Sequence, residues 1–152
     1  MSASDPKRTS LSTYAVEAPM FEGQCLCGAV QYQSTGPALF SVICHCRDCQ
    51  RASGTGGVPV MGVSRSSFSF RGPAKHSRVC GGSGLPSDRY FCSECGCLLF
   101  GMPSAYPDLV SIYVGSLNDS ASFSPTDALF IAQRPRWATL SLPLAEHEGL
   151  PT

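Results

Sequence analysis

The chain has 152 residues, enough for one domain with a real hydrophobic core. Eleven basic and eleven acidic side chains cancel, and no Lys/Arg cluster alternates with aromatics, so the electrostatic footprint of a nucleic-acid partner is missing. Charged residues make up only 14%, 15 Gly and 12 Pro punctuate the sequence, and no apolar run approaches the roughly 20 residues that span a bilayer, which argues against long helices and membrane crossing.

Residues 1–20 are polar and aperiodic, with Ser, Thr and Pro, and read as a flexible lead-in. They lack the apolar stretch of a secretory signal, so the expected location is cytoplasmic. Residues 21–152 are expected to form one zinc-binding domain. Strands are predicted at Ala29–Gln33, Leu39–Ile43, Gly57–Val63, Ser67–Phe70, Lys75–Cys80, Arg89–Phe91, Leu98–Gly101, Leu109–Val114 and Ala128–Ala132, most separated by Gly, Pro, Ser or Asp. The best helix candidate is short, Arg47 to Ala52, with a helical turn near Asp119 to Ala121. Gly81 to Pro86 reads as a mobile loop between strands. The expected class is all-β with short accessory helices.

Seven of the nine cysteines fall in three close groups: Cys25/Cys27, Cys44/Cys46/Cys49 and Cys92/Cys95. Disulfides within such short spacings are tight or redox-labile, and an intracellular chain keeps its thiols reduced, so metal binding accounts for the grouping better than a disulfide scaffold. Cys92-Ser93-Glu94-Cys95-Gly96 is a zinc-knuckle pattern, two thiolates on a tight turn followed by a Gly able to adopt a left-handed conformation. Cys25-Leu26-Cys27-Gly28 offers a second pair, and four-cysteine sites are commonly closed by two pairs distant in sequence. That site is assigned a structural role, stapling an early strand to a late hairpin.

Cys44, Cys46 and Cys49 are left with no obvious fourth partner. Three protein ligands and an open position are how a catalytic zinc site is built, although Cys97 or Cys80 could close the set. His45, between two ligand candidates, is expected to pack or to support the ligands from behind. Arg47 and Arg51 could meet substrate carboxylates, or be solvated surface charges. The Gly-rich stretch around Gly54 could bring backbone N–H groups close to a ligand. Cys80 and Cys97 are expected to be buried, inert thiols.

In this order the motifs resemble the glutathione-dependent formaldehyde-activating enzyme family, also called the centromere-protein-V domain. The resemblance runs through Gly23-Gln24-Cys25-Leu26-Cys27-Gly28, Cys44-His45-Cys46-Arg47-Asp48-Cys49-Gln50-Arg51-Ala52-Ser53-Gly54, Arg89-Tyr90-Phe91-Cys92-Ser93-Glu94-Cys95-Gly96 and Val114-Gly115-Ser116-Leu117-Asn118-Asp119, to Pro125, Arg134 and Trp137. Two positions depart from the family pattern: Cys97, where Ser or Thr is usual, and Asn118, where Asp is common. The resemblance implies an Mss4-like β fold of zinc-stapled antiparallel sheets. It also implies a structural zinc at Cys25, Cys27, Cys92 and Cys95 and a second zinc at Cys44, Cys46 and Cys49. The implied activity is carbon–sulfur lyase chemistry, the reversible condensation of formaldehyde with glutathione. Two readings of another class stand beside it: a zinc-stabilised interaction module, and a thiol or zinc reservoir that responds to oxidation.

Overall fold

A computed structural model describes residues 18–151. The expected lead-in therefore lies outside the described residues except for its last three positions. Eleven strands and one α-helix follow in the order β1 (Phe21–Gln24), β2 (Gln31–Ser34), β3 (Phe40–Cys44), α1 (Arg47–Ser53), β4 (Val58–Ser64), β5 (Phe68–Arg71), β6 (Ala74–Cys80), β7 (Pro86–Cys92), β8 (Leu98–Pro103), β9 (Leu109–Tyr113), β10 (Asp127–Leu129) and β11 (Ala145–Glu146).

A three-stranded sheet has the order β1-β2-β5, and an eight-stranded sheet has the order β11-β10-β3-β4-β9-β8-β7-β6. Most neighbours pair antiparallel, as expected. The exceptions are β3–β10 and β10–β11, which pair in parallel. The chain reaches β10 by a long connection from β9, on the far side of β4, and so arrives running in the direction of β3.

Because successive strand residues face opposite ways, the large sheet buries two different sets of side chains. Met61, Val63, Phe100, Val110 and Ile112 form the main core with Val30 and Tyr32. Aromatic rings tie the small sheet to it: Tyr32 and Phe68 both pack edge-on against Phe100, and Tyr90 stacks on Phe100 at 4.9 Å between centroids. The other set, Val42, Cys44, Val58, Val60 and Leu129, with Tyr113 and Phe130 at its margin, forms a second cluster that includes Cys46 and Cys49. Gly23 is required by packing: a Cβ there would stand 2.2 Å from the Tyr32 ring, which lies across β1 to hydrogen-bond Ser116.

The predicted strands differ from the observed ones mainly at their ends. The segment expected at Ala128–Ala132 leaves the sheet after Leu129, because Phe130 adopts a left-handed backbone (φ 55°) and starts a 3-10 turn over Ile131–Gln133. β1 and β11 were not expected: β1, Phe-Glu-Gly-Gln, holds one apolar side chain besides a glycine, and β11 is two residues long. The helix is found one residue longer than expected. Near Asp119 there is only a turn, in which the Asp119 carboxylate accepts from the Ala121 N–H at 3.1 Å. Gly81–Leu85 is a hairpin turn between β6 and β7, closed by Gly81 N–H donating to the Leu85 carbonyl at 2.8 Å.

Candidate metal centres

The first centre lies where two hairpin turns meet. Between β1 and β2, Gly28 takes φ 79° and donates to the Cys25 carbonyl, while the Val30 N–H points at Cys25 Sγ at 3.2 Å. Between β7 and β8, Gly96 takes φ 76° and donates to the Cys92 carbonyl, while the Glu94 N–H points at Cys92 Sγ at 3.4 Å. The two knuckles are built alike, each with the positive-φ glycine that its sequence suggested. Together they bring the sulfurs of Cys25, Cys27, Cys92 and Cys95 within 4.8 Å of one another.

Cys25 and Cys27 sulfurs are 3.6 Å apart, and those of Cys27 and Cys92 are 3.8 Å apart. Around a tetrahedral zinc with bonds of ~2.3 Å, sulfurs sit about 3.8 Å apart, so the donor set and its spacing fit that ion. Backbone N–H groups of Cys27 and, less strongly, Cys97 hold the Cys95 thiol down at about 6, which favours the thiolate a metal requires.

The second centre is made differently. Cys44 is the last residue of β3, Cys46 caps the N-terminus of α1, and Cys49 lies one turn into that helix. The Cys49 N–H donates to Cys46 Sγ at 3.2 Å, so a cysteine sulfur takes the place of the usual capping oxygen. The three sulfurs lie within 4.8 Å of one another, and each residue is at most 9% exposed. Hydrogen bonds from Cys44, then Cys49, draw the Cys46 thiol down to about 3, and the same sharing pushes Cys44 up. Cys49 is pushed up to about 11, so without an ion the trio shares one negative charge centred on Cys46, and three cysteine sulfurs this close are a fitting donor set for zinc.

Among the described residues no fourth Cys, His, Asp or Glu offers a donor atom within 4.8 Å of all three sulfurs. Neither thiol considered as a closing ligand is there. Cys97 sits beside the other centre, where burial and then the neighbouring Cys95, Cys25 and Cys92 raise its pKa despite a bond from the Leu26 N–H. Cys80 is exposed on β6, contrary to the expectation of a buried thiol, because that strand is the open edge of the sheet.

His45 is 2% exposed and turns away from the trio, with Nδ1 2.8 Å from the Gly56 carbonyl. Its ring fills the space beside Gly57, where an added Cβ would lie 2.7 Å from it. The buried Gln50 braces the same turn, donating from Nε2 to the carbonyls of His45 and Gln133, while the Gln133 side chain accepts from the Arg47 N–H. Arg47 and Arg51 are exposed on α1, and the Arg47 guanidinium donates to Gln50 Oε1. Gly54 is the helix C-cap at φ 72°, and its N–H is committed to the Gln50 carbonyl. The Gly54 N–H therefore finishes the helix.

Sequence reasoning missed the residues that face the trio from the sheet. The Arg89 guanidinium on β7 donates from Nε to Tyr113 Oη at 3.1 Å and reaches Cys49 Sγ at 3.8 Å. Burial alone would lower the arginine pKa; the Tyr113 hydroxyl and the Cys49 sulfur outweigh it and raise it. Burial likewise pushes Tyr113 up to about 12. Arg89 stood within a quoted motif, but nothing local in the sequence links it to Tyr113 or to α1. A cleft of about 700 Å³ runs from Cys25, Leu26 and Cys97 at the first centre to Ser53 and Thr55 at the end of α1; Tyr113 is in its wall, while Cys44, Cys46, Cys49 and Arg89 are not.

The family model for "Glutathione-dependent formaldehyde-activating enzyme" matches residues 20–133, about three quarters of the chain. The chain belongs to this family. A Halomonas elongata protein named "Putative glutathione-dependent formaldehyde-activating enzyme" is 24% identical over 127 residues, covering 80% of this chain and 81% of that protein. A crystal structure of a Rhodobacter sphaeroides protein superposes with a TM-score of 0.50 at 20% identity, covering 64% of this chain and 87% of the other. The latter likeness concerns the fold alone. All seven cysteines of the two candidate centres lie within the matched span.

Proposed function

We propose that the chain is a zinc-dependent carbon–sulfur lyase-type enzyme of the cytoplasm. It takes glutathione, or a similar small thiol, at Cys44, Cys46 and Cys49, and condenses it reversibly with formaldehyde or a related small aldehyde. The observation that carries this reading is the donor count: four sulfurs at one centre and three at the other, with no further donor closing the second among the described residues. A closed tetrahedral set supports a fold, whereas a three-donor set leaves room for a substrate sulfur. On this reading residues 21–152 act as one domain and Cys25, Cys27, Cys92 and Cys95 hold the structural zinc.

Zinc at the trio supplies a Lewis acid that keeps an incoming thiol deprotonated at neutral pH. The chain's own residues supply the rest. Cys44 at a strand end and Cys46 at a helix cap fix two donors on rigid elements, and the Gln50 bonds to His45 and Gln133 keep the intervening turn from opening. Exposed Arg47 and Arg51 are the cations on α1 that could meet the carboxylates of glutathione as it enters.

The test is exchange spectroscopy with ¹³C-formaldehyde and glutathione. The zinc-loaded protein is expected to accelerate interconversion of free formaldehyde and S-hydroxymethylglutathione above the uncatalysed rate, and Cys49→Ser to abolish the acceleration. Exchange no faster with protein than without it would reject the enzyme reading and leave a zinc module without turnover.

A further inference from the structure

Condensation of a thiolate with an aldehyde places negative charge on the aldehyde oxygen, and a hydrogen-bond donor aimed at that atom stabilises it. The cysteines cannot serve, since they are committed to the metal. Arg89 and Tyr113 stand beside them on the sheet face that carries the trio.

Donor and acceptor capacity orders this pair. A guanidinium has five N–H donors and no acceptor, so its 3.1 Å contact with Tyr113 Oη consumes a lone pair of the hydroxyl and leaves the O–H as a free donor. The positive charge polarises that O–H and strengthens it. The same guanidinium reaches Cys49 Sγ at 3.8 Å, so one rigid planar group sets the tyrosine hydroxyl relative to the trio. Arg89 pairs with Gly101 on β8, and Tyr113 Oη lies 3.8 Å from where a Cβ on that glycine would stand, so the ring reaches from β9 across β8 toward β7.

Resting on the function proposed above, we infer that Tyr113 is the hydrogen-bond donor to the aldehyde oxygen, with Arg89 as the residue that positions it. The thiolate sulfur gives an electron pair to the carbonyl carbon and the C–S bond forms. The C=O π pair moves onto oxygen, which the Tyr113 O–H stabilises until solvent water protonates it. The proton that glutathione released to solvent on binding balances this uptake. In reverse, the hydroxyl loses its proton to water, the C=O bond re-forms and the C–S bond breaks.

The experiment compares zinc-loaded wild type, Tyr113→Phe and Arg89→Lys. Three readouts are taken: ¹³C-formaldehyde exchange, glutathione affinity by calorimetry, and the tyrosine ultraviolet difference spectrum as glutathione and then formaldehyde are added. Tyr113→Phe keeps the ring and removes only the hydroxyl. It is expected to slow the catalysed exchange ~10²-fold, in line with loss of one oxyanion donor, with glutathione affinity and zinc content unchanged. The wild type is expected to show a tyrosine band shift on formaldehyde addition that Tyr113→Phe lacks and Arg89→Lys weakens. If the wild type accelerates exchange and Tyr113→Phe matches it, or loses glutathione affinity equally, the inference fails while the enzyme reading stands. If the wild type does not accelerate exchange, the enzyme reading fails and takes the inference with it.

Discussion

The two cysteine centres use the same side chain and differ in what surrounds it. At the four-sulfur centre both pairs sit on hairpin knuckles whose backbones point N–H groups at the sulfurs, so the ligand positions are made by turn geometry. At the three-sulfur centre the ligands sit on a strand end and a helix start; besides the Cys49 N–H on Cys46 Sγ and the neighbouring Gln50, the support comes from distant residues: Gln133 behind the turn, and Arg89 and Tyr113 on the sheet. A centre built from local turns can be closed and self-sufficient. One assembled from separate elements can leave a ligand position to something outside the chain.

The largest effects should separate the two centres by stability. Cys92 is wholly buried and joins the β7–β8 knuckle to the β1–β2 knuckle. Structural zinc sites are worth ~10–16 kcal/mol in small peptides, comparable with the ~5–15 kcal/mol that holds a whole domain together. Cys92→Ser is therefore expected to abolish cooperative unfolding in circular dichroism, whereas Cys49→Ser should keep the fold, lower Tm by a few degrees and remove thiol binding. Equal loss of stability in both variants would erase the distinction.

Smaller effects sharpen it. Removing both α1 cations in an Arg47→Ala, Arg51→Ala variant should weaken glutathione binding about tenfold, in keeping with two exposed charge-assisted contacts. Unchanged affinity would free the arginines of any role. Gly96→Ala and Gly54→Ala each force an alanine into a left-handed backbone, at about 1 kcal/mol. Although neither Cβ meets an atom within 4 Å, the consequences should diverge. Gly96→Ala is expected to speed zinc release to a chelator from the four-sulfur centre. Gly54→Ala should leave that release unchanged and loosen α1 instead.

The same contrast explains what could be read from the sequence. Both knuckles were legible, glycine included, because every residue of a knuckle lies within about five positions of its partners. The helix after Cys46 was legible for the same reason. Tyr113 was not: it joins Arg89 and Cys49 only because β9 lies two strands from β7, a fact of sheet order and not of spacing. The open position of the trio was likewise left undecided between Cys97, Cys80 and nothing, since only the fold places Cys97 by the other centre and Cys80 on an edge. The place of Gly54 at the end of α1 was not legible, because a glycine that ends a helix and a glycine that cradles an anion look alike in sequence.

The central claim, one closed and one thiol-accepting centre, is tested most directly by replacing zinc with cobalt and titrating with glutathione while following the thiolate charge-transfer bands. The account predicts two cobalt ions per chain, with only the set lost in Cys49→Ser shifting as glutathione enters. A single ion, or two whose bands ignore glutathione, would contradict it.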